Sequence, residues 1–111
     1  MATEWSDTIY GSWINDWIDA GDGNDYVYSG DGNDTVYGGL DTNWFLPGNN
    51  DYIDGGAGND WLSGESGNDT VYGSAGLDVI YGGAGADTFN GWEWFSGEVK
   101  DYNLLEDYLV W

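Results

Sequence analysis

A carboxylate or its amide recurs at a near-constant stride through most of this chain: Asp7, Asp16, Asp25, Asp34, Asn43, Asp51, Asp60, Asp69, Asp78 and Asp87. Each step is nine residues except Asn43 to Asp51, which is eight. Two residues beyond each stands an apolar side chain: Ile9, Ile18, Val27, Val36, Phe45, Ile53, Leu62, Val71, Ile80 and Phe89. A nine-residue period held this long, with glycine before the carboxylate, is the mark of a solenoid built from one small unit repeated along an axis.

The unit is clearest at Gly55–Ser63, GGAGNDWLS, and at Gly82–Asn90, GGAGADTFN. Glycines at positions one, two and four permit a tight turn with positive φ and close backbone approach. The Asp at position six ends the turn. Positions seven to nine form a three-residue strand whose alternation points position eight inward and seven and nine outward. Asp oxygens together with turn carbonyls suit a hard cation that takes six to eight oxygen ligands.

With these units the chain resembles the RTX (repeats-in-toxin) family, whose GGxGxDxUx nonapeptide binds calcium. The resemblance covers about Ala2 to Asn90. It implies an all-β parallel β-roll of about ten nonapeptide half-turns, in which each repeat stacks on the next but one and calcium lies between stacked turns. The expected ligands are Asp16, Asp25, Asp34, Asn43, Asp51, Asp60, Asp69, Asp78 and Asp87, with backbone oxygens from Gly21, Gly23, Gly30, Gly32, Gly56, Gly58, Gly67, Gly76, Gly83 and Gly85. Strict alternation puts Asp7, Asp25, Asn43, Asp60 and Asp78 on one side and Asp16, Asp34, Asp51, Asp69 and Asp87 on the other. Four gaps on each side allow at most about eight interior calcium ions.

The gaps are not equivalent. Asp60/Asp78 and Asp69/Asp87 are bounded by regular turns. The first two repeats carry Trp5 and Ile14 at position four, and the fifth carries Asp41 there and Asn43 in place of Asp. The sixth is one residue short and contains Pro47. Residues 38–50 are read as an irregular turn that keeps the register; the alternative is an eight-residue loop inserted between two perfect repeats.

Charge agrees with metal-dependent folding. The chain has 21 acidic residues, one Lys, no Arg and no His, for a net charge of −20. Such a chain repels itself unless counterions intervene. The inward column is thin, at about 1.5–3 kcal/mol for each buried side chain, and does not offset the ordering entropy of the backbone. Disorder without metal and folding with it follow. Nothing here neutralises phosphates, so nucleic acid is excluded as a partner. There is no Cys, hence no disulfide and no thiolate metal site. The lack of His and Cys and the single Lys100 leave no ordinary nucleophile and base pair, so the chain is expected not to be an enzyme.

No apolar run approaches the roughly 20 residues of a membrane span, and the N-terminus lacks a secretory signal pattern. Residues 107–110, Asp-Tyr-Leu-Val, resemble the C-terminal signal of type I secretion, the usual RTX route; the alternative is an amphipathic terminal strand packing on the last rung. The expected location is therefore extracellular or on a bacterial cell surface. The chain divides into a β-roll over residues 1–90 and a segment over residues 91–111, rich in aromatics, that caps the last rung. No comparable cap precedes the first repeat, which leaves an open edge.

Outward positions are unusually aromatic. Strict alternation places Tyr26, Tyr28, Trp44, Trp61 and Tyr81 in one face, a candidate interface. Three roles compete: a structural protein that self-associates end to end or through this face, a glycan or surface adhesion module, and ice binding. The irregular third turn position argues against ice. The chain also fits the terminal secretion and folding block of a larger exported protein.

Overall fold

The computed structural model describes residues 5–39, 49–90, 99–101 and 107–110. Among these it contains no helix and ten strands of three residues. They are β1 (Thr8–Tyr10), β2 (Trp17–Asp19), β3 (Tyr26–Tyr28), β4 (Thr35–Tyr37), β5 (Tyr52–Asp54), β6 (Trp61–Ser63), β7 (Thr70–Tyr72), β8 (Val79–Tyr81), β9 (Thr88–Asn90) and β10 (Tyr108–Val110). Each of the first nine starts directly after a repeat Asp and ends before the next turn, so the nonapeptide sets both boundaries.

The strands form two parallel sheets, one in the order β1-β3-β5-β7-β9-β10 and the other β2-β4-β6-β8. From β1 to β9 successive strands cross from one sheet to the other, and β10 adds to the edge of β9, giving an all-β parallel solenoid. Val27, Val36, Ile53, Leu62, Val71, Ile80 and Phe89, all at position eight, are fully buried between the sheets. The column ends in Ile9 and Leu109, which are only partly buried.

Expected and observed stacking agree up to β4 and then diverge. Tyr26 pairs with Tyr52 and Thr35 with Trp61, so Asp25 is followed in its column by Asp51 and Asp34 by Asp60. Asn43 and Trp44 lie outside the described residues. Gly38 and Gly39 open the turn as positions one and two, and Asn49, Asn50 and Asp51 close it as positions four to six. Residues 40–48 lie outside the described residues, and the register on either side of them is the one that the inserted-loop alternative gives.

Proline explains why the strict register fails. The residue at position one repeatedly donates its N–H to the neighbouring rung, as Gly11 does to Tyr28 O, Gly38 to Ser63 O and Gly55 to Tyr72 O. In the strict register that position falls on Pro47, which has no N–H. Asn49 closes the insertion instead. It is buried, holds a φ of 113°, accepts the Gly23 N–H at 2.9 Å and donates from Nδ2 to Gly39 O at 2.5 Å.

The same shift divides the expected aromatic patch. Tyr26 and Tyr28 face outward from the six-stranded sheet, whereas Trp61 and Tyr81 face outward from the four-stranded one. The tenth strand comes from the tail rather than from Asn43. β10 pairs in register with β9, placing Leu109 opposite Phe89. On the other sheet Val99 bridges to Ile80, and the Asp101 carboxylate accepts the N–H groups of Gly82 and Gly83, each at 2.8 Å.

Candidate metal centre

The repeat Asp residues form two continuous ladders. Each Asp N–H donates to Oδ1 of the Asp one rung further on: Asp7 to Asp25, Asp25 to Asp51, Asp51 to Asp69, Asp69 to Asp87 and Asp87 to Asp107, at 2.8–2.9 Å. The other ladder runs Asp16, Asp34, Asp60, Asp78 with the same geometry. A second ladder, one residue earlier in each turn, has the opposite polarity. Asn33 N–H donates back to Asn15 Oδ1, Asn59 to Asn33 and Leu77 to Asn59. Asn50 likewise donates to Asn24, Asn68 to Asn50 and Ala86 to Asn68. These side chains hold the turns in register while leaving the second carboxylate oxygen of seven of the Asp residues uncommitted.

That second oxygen is the unusual feature. The Oδ2 atoms of Asp25, Asp34, Asp51, Asp60, Asp69, Asp78 and Asp87 are all buried without a hydrogen-bond partner. A buried carboxylate oxygen with no donor costs several kcal/mol. Those of Asp51, Asp60, Asp69, Asp78 and Asp87 point toward the glycine that opens their own turn. A Cβ added to Gly55 would lie 2.6 Å from Asp60 Oδ2 and 3.0 Å from the Gly73 carbonyl of the next rung. Glycine is required there because carboxylate and carbonyl oxygens already crowd its α-carbon.

Every turn glycine expected to supply a carbonyl, from Gly21 and Gly23 to Gly83 and Gly85, has positive φ. Where the pattern departs from glycine, Glu65 and Ser74 adopt the left-handed conformation themselves, at φ of 69° and 71°. The turn path is therefore kept even where it is strained.

Electrostatics sharpen the problem. Burial pushes the Asp69 carboxyl up to about 9, Asp51 to about 8, Asp60 to about 7 and Asp25 to about 6. Neighbouring carboxylates add to the rise in these four, and the N–H accepted from the preceding rung offsets part of it. Burial raises Asp78 as well. A divalent cation between the turns would reverse this by favouring the ionised form.

Among the described residues no group of three acidic side chains converges on one point. A cation here would therefore take one or two carboxylate oxygens and fill its shell with turn carbonyls and water, a donor set suited to a hard ion. Of the expected ligands, Asp25, Asp34, Asp51, Asp60, Asp69, Asp78 and Asp87 share this buried geometry. Asp16 does not: it is only partly buried, and its carboxylate accepts the N–H and hydroxyl of Ser12.

Sequence reasoning missed three contributors. The Asn ladder was visible as the recurring Asn before Asp. Asp107 repeats the Asp-x-apolar spacing and stands 20 residues beyond Asp87. Asp101 carried no local signal.

A family model for the RTX calcium-binding nonapeptide repeat matches the chain over residues 10–45, 48–78 and 63–93, with four copies. No curated protein and no solved structure matches it.

Proposed function

We propose, from the premise that the chain belongs to the RTX calcium-binding nonapeptide-repeat family, that it is a secreted protein folded by calcium and serving as a structural, self-associating component of a surface or matrix. The observation that carries the calcium reading is the row of seven buried Oδ2 atoms lacking a donor. Calcium would be held by Asp25, Asp34, Asp51, Asp60, Asp69, Asp78 and Asp87 together with the carbonyls of the stacked turns. When bound it supplies the positive charge that lets these carboxylates stay ionised and buried.

Self-association rests on a second observation. Among the described residues six large apolar side chains are more than 60% exposed, and five of them, Trp5, Tyr10, Trp13, Ile14 and Trp17, lie at the N-terminal end of the roll; the sixth is Leu77. Among the described residues β1 and β2 are paired on one edge only. An apolar end beside open strand edges favours stacking on another copy. Export is supported by the family's usual route; the 107–110 segment, here a strand on the last rung, remains a candidate signal.

Circular dichroism and light scattering on one sample test both parts. In chelator the chain should be coil and monomeric. In millimolar calcium it should be β and of higher mass. A folded metal-free chain overturns the calcium reading, and a calcium-folded monomer overturns the assembly reading.

A further inference from the structure

The four-stranded sheet presents an aromatic pattern that repeats every second rung. Trp17 on β2 and Tyr37 on β4 pair diagonally, with ring centroids 5.9 Å apart and planes at 57°. Trp61 on β6 and Tyr81 on β8 repeat the pair at 5.3 Å and 41°. Trp17, Thr35 and Trp61 occupy one outward column, and Asp19, Tyr37, Ser63 and Tyr81 the other. The second pair is therefore the first translated by two rungs, roughly 9.4–9.8 Å along the axis.

Both tryptophans keep area open to solvent: Trp17 is 69% and Trp61 42% exposed. The six-stranded sheet has a different ring arrangement. There Tyr26 and Tyr52, on adjacent rungs, stack face to face at 4.8 Å and 1°, with Tyr26 still 41% exposed. On the four-stranded sheet Thr35 separates the two indoles.

We infer that this face binds an extended, uncharged β-1,4-linked hexopyranose chain lying along the solenoid axis. In such a chain alternate sugars present the same face, so the repeat is one disaccharide, close in length to two rungs. The C–H face of one sugar would lie on Trp17 and that of the next but one on Trp61, removing apolar area from water. Thr35, Ser63 and the Tyr37 and Tyr81 hydroxyls border the path and suit sugar hydroxyls. Charge selects the class of polymer. The only ionisable group among the outward residues of this sheet besides the two tyrosines is Asp19, and the protein carries −20 overall, so uronic or sulfated chains are repelled. This site is separate from the calcium sites and shares Trp17 with the N-terminal stacking surface, whereas Trp61 belongs to it alone.

Calorimetry in millimolar calcium, with cellohexaose as ligand and maltohexaose as the coiled, α-linked control, tests the assignment. Cellohexaose should bind and maltohexaose should not. Trp17→Ala and Trp61→Ala should each weaken association by roughly tenfold or more, while Tyr26→Ala on the other sheet leaves it unchanged. Circular dichroism on the same samples reads the fold; if Trp61→Ala does not fold, Trp17→Ala decides, since that side chain is largely exposed. The proposal is overturned by no binding, by equal binding of maltohexaose, by undiminished binding in Trp17→Ala, or by a dimer that Trp61→Ala disperses, which would give the face to a second copy. Failure of sugar binding with calcium-induced folding intact leaves the calcium reading standing.

Discussion

Replacing Asp69 with Asn should move stability in opposite directions with and without calcium. Asp69 is 1% exposed, its Oδ1 accepts the Asp51 N–H, and its Oδ2 is unpartnered. Its carboxyl is pushed from 3.8 to about 9 by burial first. At pH 7 the unfolded chain carries it ionised, whereas the metal-free fold must bind a proton or bury a bare charge. The gap between 3.8 and pH 7 then destabilises the metal-free fold by about 4 kcal/mol, at about 1.36 kcal/mol per unit. Similar burdens at Asp51 and Asp60, and a smaller one at Asp25, bring the total to the order of the whole stability of a domain this size. Asn keeps the Oδ1 acceptor, removes the charge and places an N–H₂ beside the turn carbonyls. In chelator Asp69→Asn should therefore need less of a protecting osmolyte to fold, by an amount equivalent to about 2–4 kcal/mol. In calcium it should need more metal, because one charged ligand is gone. Osmolyte titrations in chelator and calcium titrations, both followed by circular dichroism, read the two arms. An unchanged osmolyte midpoint, or a lower calcium midpoint, would refute the reasoning.

In chelator, acidification from pH 8 to pH 4 should increase β structure. The raised carboxyls are protonated in the fold at lower pH, so the stability they contribute is present near 4, falls as pH climbs above it, and is fully lost by about 6 for Asp25 and about 9 for Asp69; a fall in β signal on acidification contradicts this. Asp69→Ala should raise the calcium midpoint for folding more than Asp7→Ala, since Asp7 lies half-exposed on the first rung; equal effects count against the site geometry. Deleting residues 40–47, which leaves Gly48 as a single residue at position three, should preserve calcium-induced β structure, because β3 already pairs with β5; loss of folding would show that the insertion is structural. Asp101→Ala, which strands the Gly82 and Gly83 N–H groups, should lower stability in calcium by about 1–3 kcal/mol, measured by urea unfolding; no change means that water satisfies both.

The period made the strands, the inward column and the Asp ladder legible, because turn, carboxylate and core residue recur in fixed order. Asp60 over Asp78 and Asp69 over Asp87 stack as the spacing implies. The register across residues 40–48 was not legible from spacing alone. Asn43 and Phe45 satisfy the repeat locally, and only the need for an N–H where Pro47 would fall excludes them. Misplacing that one rung exchanged the two sides beyond it and merged aromatics that belong to separate sheets. The caps were hidden for a different reason: Asp101 and Asp107 act through contacts about 20 residues distant, set by the path of the tail rather than by a period.

The central claim is that cations sit on the unpartnered Asp Oδ2 atoms between stacked turns. Anomalous diffraction from crystals grown in calcium tests it most directly. The account predicts several calcium peaks per chain, each about 2.3–2.6 Å from an Oδ2 of Asp25, Asp34, Asp51, Asp60, Asp69, Asp78 or Asp87 and from turn carbonyls of the adjoining rung. A folded chain in calcium with no anomalous density along either column of turns would contradict it.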